Sequence, residues 1–348
     1  MRILVFSPIE LPYTIGARYT GLEKLAVQFA EQWHKLGHDV ALLAHKDTDI
    51  PRGIEFLPCE GYVDHDRTIH AEQKAYQQYQ YMFRTYDVIW DISHLHLIAR
   101  LMSNMPTANV FSANPEYEAR SGHQKAPYNL ISWSRWGVGQ IRKWYHQGAK
   151  YQETIMVDPE VFKPSHRKRN DRFLTIGRMS PEKGNLNAVK LCRKLGLKLD
   201  VCGGRGSEMF GGEALTDYEK EVMDNCDGDN IVFWGEVDEE QKLELMKSCK
   251  GLIYMTDHVE ITSHKIQEAM MCGAPVIVPN HGGIPEIVTH GVDGYLCNDP
   301  AEYVMAIDKI STLTPSATRE ALIKKYSPVA VAQGYLSLFE KIKEGLRW

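Results

Sequence analysis

Apolar positions along this chain alternate between short runs and helical spacing, and the alternation starts at once. Residues 3–7 are an apolar run that reads as a buried first strand. Over 22–36, Leu25, Ala26, Phe29, Ala30, Trp33 and Leu36 recur at intervals of three and four, the mark of a helix with one apolar face. Gly37 stands where a left-handed C-cap ends such a helix, and 39–44 read as a second strand. Strand–helix–strand order makes the two strands parallel neighbours. Further strands are expected at 88–92, 109–112 and 130–133. The polar, tyrosine-rich stretch 66–86 reads as a helix with a wet face.

The pattern changes character near 146–172. Pro159, Pro164 and the charged run 166–172 read as a linker and a solvated surface. A second alternation follows. Strands are expected at 173–176, 199–202, 231–234, 251–255 and 275–279, with helices at 185–195, 239–248 and 264–272 between them. A closing helix over 328–346 carries Val331, Tyr335, Leu338, Phe339 and Ile342 at apolar spacing. Two such halves predict an α/β chain of two Rossmann-like, doubly wound domains facing one cleft.

Composition narrows the class. A length of 348 residues suits two ordinary domains. The net charge of -5 leaves no overall basic footprint for nucleic acid. No apolar run approaches the roughly 20 residues needed to span a bilayer, and the opening stretch is too short for a signal peptide. The 7 cysteines form no CxxC pair, so a reducing, cytoplasmic compartment is expected.

Four segments can carry chemistry. After the strand at 173–176, Gly177 lets the chain turn tightly. Arg178 then offers a planar fork of donors and Lys183 a point charge, both beside a helix start that favours anions. That set suits a diphosphate, and equally a plain strand–helix turn with two solvent-facing cations. Glu260 and Glu268 stand eight residues apart, one in a loop and one in the following helix, where carboxylates can accept from sugar or ribose hydroxyls. The alternative is a surface glutamate and an ordinary helix charge. Gly282 and Gly283 allow close backbone approach to a ligand. Gly21, after Tyr19, takes the phosphate-facing place in the first half. His94 and His96 suggest no third metal ligand. Trp136, Trp144 and Tyr145 with Arg142 and Lys143 can be drawn as a membrane-facing patch, but a half-buried helix is the commoner explanation.

In order and spacing, these segments resemble glycosyltransferase family 4, retaining enzymes of the GT-B fold. The family's Gly-Val-Asp-x-x-x-Phe-x-Pro segment appears as Val157, Asp158, Phe162 and Pro164 within 156–164. Its Gly-Arg-x-x-x-x-Lys-Gly appears at Gly177, Arg178, Lys183 and Gly184. Its Glu-x7-Glu appears at Glu260 and Glu268, followed by Ala-Met-x-x-Gly-x-Pro-Val-Ile at 269–277 and Gly-Gly-x-x-Glu-x-Val at 282–288. The resemblance covers nearly the whole chain and is strongest over 156–300.

It implies an acceptor domain over 1–152, a nucleotide-sugar domain over 153–326 and a helix over 327–348 that returns to the first domain. It implies that Arg178 and Lys183 bind the donor diphosphate and stabilise the leaving charge, with Gly177 at the turn and Gly21 near the diphosphate. Glu260, with Ile261, Thr262 and Ser263, would hold sugar hydroxyls, Glu268 the ribose, and Gly235 and Glu236 the base. Asn114 and Tyr19 would lie near the sugar or acceptor. The implied reaction moves a hexose from a nucleotide-diphosphate sugar, UDP-glucose on prevalence in the family, to a hydroxyl of a small-molecule, glycan or lipid-linked acceptor. It retains configuration and needs no metal or other cofactor. The loop departs from the family's Glu-x-Phe-Gly, because Ser263 stands where glycine is usual. Asn114 stands where a histidine is usual, and Ile155 and Met156 stand where an asparagine and glycine are usual. A nucleotide-sugar-binding protein without transfer activity, and an epimerase of the same architecture, are the competing readings.

Overall fold

The computed structural model describes residues 1–15, 21–61, 65–102, 104–112, 115–116, 127–204 and 214–348, with 65–70 described in backbone only. The chain forms two compact units. One is Met1–Met156 together with Pro328–Trp348, and the other is Val157–Ser327.

Among the described residues the first unit is built on seven strands: β1 (Arg2–Phe6), β2 (Asp39–His45), β3 (Glu55–Cys59), β4 (Val88–Asp91), β5 (Thr107–Phe111), β6 (Leu130–Ser132) and β7 (Ala149–Tyr151). They lie in the order β3-β2-β1-β4-β5-β6-β7, and every pairing is parallel. Ile3 is in register with Val40 on one side and Val88 on the other. Helices α1 (Gly21–Lys35), α2 (His65–Tyr79), α3 (Leu97–Leu101) and α4 (Arg135–Tyr145) belong to this unit. At the end of α1, Gly37 takes φ +87° and the His38 N–H reaches back 3.1 Å to the Trp33 carbonyl, the left-handed cap the sequence predicts.

The second unit has β8 (Phe173–Ile176), β9 (Leu199–Cys202), β10 (Ile231–Gly235), β11 (Gly251–Ile253), β12 (Val276–Pro279) and β13 (Gly294–Cys297). Their order is β10-β9-β8-β11-β12-β13, again all parallel. Its helices are α5 (Asn185–Lys194), α6 (Asp217–Asp224), α7 (Glu239–Ser248), α8 (His264–Met271), α9 (Pro300–Lys309) and α10 (Arg319–Tyr326).

The last helix, α11 (Pro328–Lys343), is part of the first unit. It packs on α1 through an aromatic cluster. The Trp33 indole N–H donates to the Ala332 carbonyl at 3.1 Å, and Tyr335 stands edge-on to Phe29, Trp33 and Trp90. The Tyr335 hydroxyl lies 2.7 Å from that of Thr154.

Three strands carry no sequence signal. β3 contains Pro58, which argues against a strand interior. It is tolerated because β3 is the sheet edge, where a missing N–H breaks no ladder on the open side. β7 and β13 are edge strands of three and four residues, too short for a period to show. The stretch 66–86 is one helix only to Tyr79, with a 3-10 turn at Phe83–Thr85.

The solvated reading of 166–172 is corrected at two positions. Arg169 donates to the carbonyls of Met246, Lys247, Cys249 and Cys272 at 2.7–3.1 Å, covering carbonyls at the ends of α7 and α8. Arg172 bonds the buried Asp200 carboxylate at 2.8 Å.

Trp33 is fully buried at the centre of the aromatic cluster. Trp33→Ala is expected to lower the unfolding free energy by about 3–5 kcal/mol through lost burial and a residual cavity. Denaturant unfolding checks this, and a loss below about 1 kcal/mol would mean that α11 contributes little to the first unit.

Candidate active site

The site in the second unit is assembled from the loops that follow β8 and β11. The chain leaves β8 at Gly177, passes Arg178, and makes a 3-10 turn at Pro181–Lys183 before α5. Asn185, fully buried, donates its amide to the carbonyls of Gly177 at 2.9 Å and Arg178 at 3.1 Å, which holds the turn open. Gly184 sits at φ +67° directly against the Met255 carbonyl, where a side chain would collide. The Thr256 hydroxyl donates to the Glu182 carbonyl at 2.5 Å. The two loops are therefore locked to each other.

Glu260 is the centre of the cluster. Its Oε1 lies 2.7 Å from Lys183 Nζ and also accepts from the Tyr254 hydroxyl. Lys265, in the first turn of α8, places its ammonium 3.5 Å from the centre of the Tyr254 ring. Burial would raise the Glu260 pKa. The charges of Lys265 and Lys183, with hydrogen bonds from Lys183 and Tyr254, outweigh it and hold the carboxyl below its ordinary value. Tyr254 is pushed the other way, upward, by burial and by the Glu260 charge. Lys265 is driven down to about 7, first by burial and also by Lys183, against the attraction of Glu260.

The positive end of α8 adds to the strain on Lys265. Arg178 pairs with Glu182 one turn on and approaches the Ser180 hydroxyl at 3.3 Å.

Gly282 and Gly283 do make a close approach, but to the chain itself. Gly282, at φ +63°, lies against the Glu260 carbonyl, and the Gly283 N–H donates to that carbonyl at 2.9 Å. They fix the loop that carries Glu260. Ile261 is buried, Thr262 half-buried, and Ser263 is the buried residue that precedes α8. Glu268 points from α8 to Lys242 of α7, 3.3 Å away, and Lys242 also reaches Glu239 at 3.0 Å. Gly235, at φ +68°, ends β10 with open space beside its Cα, and the neighbouring Glu236 carboxylate lies against Gly204.

In the first unit Gly21 opens α1, also beside open space. Tyr19 and Asn114 lie outside the described residues. His94 and His96 do not share a ligand. His94 faces Glu10 at 3.5 Å, and His96 faces Asp91 at 3.3 Å. Among the described residues, no group of three or more His, Cys, Asp or Glu side chains is placed to hold a metal.

Sequence reasoning passed over Asn185, which directly follows the Gly177–Gly184 motif, and Tyr254 and Thr256, which lie in no motif. Lys265 had a readable signal: a lysine in the first turn of a helix opposes the helix dipole and needs a partner.

The unfolded chain keeps the Lys265 proton up to the ordinary lysine pKa of 10.5, the folded chain only to about 7. Between those values the unfolded state binds more protons, so this group makes stability rise with pH. Lys265→Met removes that dependence. The melting temperature of the variant relative to the parent is expected to be highest at and below pH 7, and to fall as pH rises toward 10.5. A difference constant across that range would show that the ammonium is solvated.

Residues 157–326 match the model of the family described as Glycosyl transferases group 1. The chain is 30% identical over 130 residues to the human alpha-1,3/1,6-mannosyltransferase ALG2, which is 35% of this chain and 30% of that protein. It is 27% identical over 150 residues to spore coat protein SA of Bacillus subtilis (strain 168), 39% of each chain. The chain thus matches less than half the length of either relative. In structure it is similar to Anabaena HepE in complex with UDP-glucose, with a TM-score of 0.72, 17% identity, and 99% of this chain and 100% of that one covered. That likeness fixes the fold as GT-B. The family match thus covers the second unit, Val157–Ser327, nearly end to end, and that family is what this chain is similar to in sequence.

Proposed function

We propose that the protein is a retaining hexosyltransferase of glycosyltransferase family 4. It takes its sugar from a nucleotide diphosphate donor, with UDP-glucose favoured, and transfers it to an acceptor hydroxyl. The observation that carries the reading is the 2.7 Å contact between Lys183 and Glu260 beside the N-terminus of α8. A phosphate-binding cation and a hydroxyl-accepting carboxylate meet there at one point. The complex of Anabaena HepE with UDP-glucose, on the same fold, supports the choice of donor. The seven free cysteines support a reducing, cytoplasmic setting.

In this reading the bond between the sugar's anomeric carbon and the leaving diphosphate breaks while the acceptor oxygen bonds on the same face. Negative charge builds on the departing phosphate. Arg178, Lys183 and the amides that open α8 are donors fixed in advance at that position, so no metal is required to carry the charge. The diphosphate competes with Glu182 for the Arg178 guanidinium and with Glu260 for the Lys183 ammonium. Glu260 holds sugar hydroxyls as a carboxylate, which its neighbours keep ionised. The acceptor's proton passes to the leaving phosphate. Glu268 binds the ribose and Gly235 and Glu236 contact the base.

UDP-glucose is expected to raise the melting temperature, with the same shift in the presence of a chelator. Arg178→Ala and Glu260→Gln should each lower kcat by about 10²–10³ in a transfer assay. Full turnover by both variants would sink the assigned roles. Donor binding without turnover across an acceptor panel would favour a sugar-nucleotide-binding protein instead.

A further inference from the structure

The two cations that the Gly-Arg motif supplies are both engaged. Arg178 pairs with Glu182, and Lys183 Nζ lies 2.7 Å from Glu260. Lys265 stands beside them and makes no hydrogen bond among the described residues. Its ammonium rests over the Tyr254 ring instead. A Cβ placed on Gly177 would lie 3.0 Å from Lys265 Nζ and 3.5 Å from Lys183 Cβ, so both lysines flank the turn that follows β8. Tyr254 links Lys265 to Glu260, since its hydroxyl bonds the carboxylate while its ring carries the ammonium.

Glu260 and Lys183 are the charges that act on Lys265, one holding its proton and the other repelling it. Tyr254 stays a neutral phenol, raised by burial and by Glu260. Arg178 and Glu182 neutralise each other, and His264, the preceding residue on α8, is exposed. One carboxylate thus lies between two lysines, and only Lys183 bonds it. Against the burial that raises the Glu260 pKa, the charge of Lys265 nevertheless weighs more than that of Lys183.

A diphosphate arriving at Arg178 and Lys183 upsets this balance. Drawing Lys183 off Glu260 lifts the repulsion on Lys265. It also takes the hydrogen-bonded cation from a buried carboxylate, which is strongly destabilising unless another cation replaces it. A lysine has a flexible four-carbon stem and three rotatable donors, so Lys265 can turn from the Tyr254 ring to the carboxylate.

We propose that Lys265 is the reserve counterion of the donor site: as the diphosphate draws Lys183 away, Lys265 takes its place at the Glu260 carboxylate. This role of Lys265 rests on the donor reading above. With its pKa at about 7, the amine is mostly neutral at pH 8 before the donor arrives. It therefore takes one proton from solvent during the exchange, and no covalent bond to carbon changes.

Calorimetry of UDP-glucose binding to the full chain counts that proton. The heat is measured at pH 8 in Hepes and in Tris, whose ionisation enthalpies differ. UDP-glucose has no terminal phosphate, the group whose second ionisation falls at a pKa of about 6, so its diphosphate does not titrate there. Uptake of about 0.9 proton per donor is expected at pH 8 and about 0.5 at pH 7.

Lys265→Met should bind the donor with almost no uptake. The acid limb of its kcat profile should move up by about one pH unit, because Glu260 then lacks a cation in the complex. Lys265→Arg, permanently charged, should also show no uptake yet keep the parent's acid limb. Donor binding without proton uptake in the parent would overturn the role of Lys265 and leave the donor reading standing. Undiminished uptake in Lys265→Met would overturn it too. No binding of UDP-glucose would remove the donor reading, and this role with it.

Discussion

Both sheets are wholly parallel, and that constraint positions the chemistry before any side chain is chosen. A parallel pair cannot be closed by a hairpin, so each strand is followed by a crossover, and all the strand-to-helix loops gather at one edge. Where strand order reverses, two neighbouring loops depart in opposite directions and leave a crevice. In the second unit the reversal falls between β8 and β11. The loops after those two strands carry Arg178, Lys183 and Glu260. In the first unit it falls between β1 and β4, where Glu10 and His94 meet.

Charge then decides what the second crevice can hold. Arg178, Lys183 and Lys265 face two carboxylates, Glu182 and Glu260, with the positive end of α8 added. A buried ion pair gains little over its desolvation cost, so these groups are poor stabilisers of the fold. Lys265 makes the point. Its ammonium is disfavoured by burial and by Lys183 together, and among the described residues Glu260 and the Tyr254 ring oppose that. Positive charge held in place against its own repulsion is the feature on which the proposed diphosphate binding rests.

Much of this was legible in the sequence. β8 and β9 fall at their expected residues because a short, largely apolar run between polar flanks fixes both ends, and α7 begins where the Asp238 side chain caps it. The edge strands were hidden by Pro58 and by their shortness. Arg169 and Arg172 looked solvated because a charged run is solvated by default. Their carbonyl partners lie about 30 to 100 residues away in sequence, beyond any local rule. The site shows the same division. Motif spacing named Lys183 and Glu260. That they touch, and that Tyr254 and Asn185 hold them, depends on tertiary neighbours that spacing does not encode.

The altered loop at 260–263 was the strongest sequence argument against a working donor site, since Ser263 stands where the resembled family places glycine. The backbone answers it. Ser263 has φ -149° and ψ 108°, ordinary extended geometry that any residue adopts, so its Cβ brings no conformational strain. The positive φ values in this neighbourhood fall instead at Gly184 and Gly282, both glycine as the geometry demands. The Ser263 hydroxyl is buried and has no hydrogen-bond partner among the described residues. A group so placed costs about 1–3 kcal/mol unless something bonds to it. A glycine would have avoided that cost, so packing alone does not account for the serine.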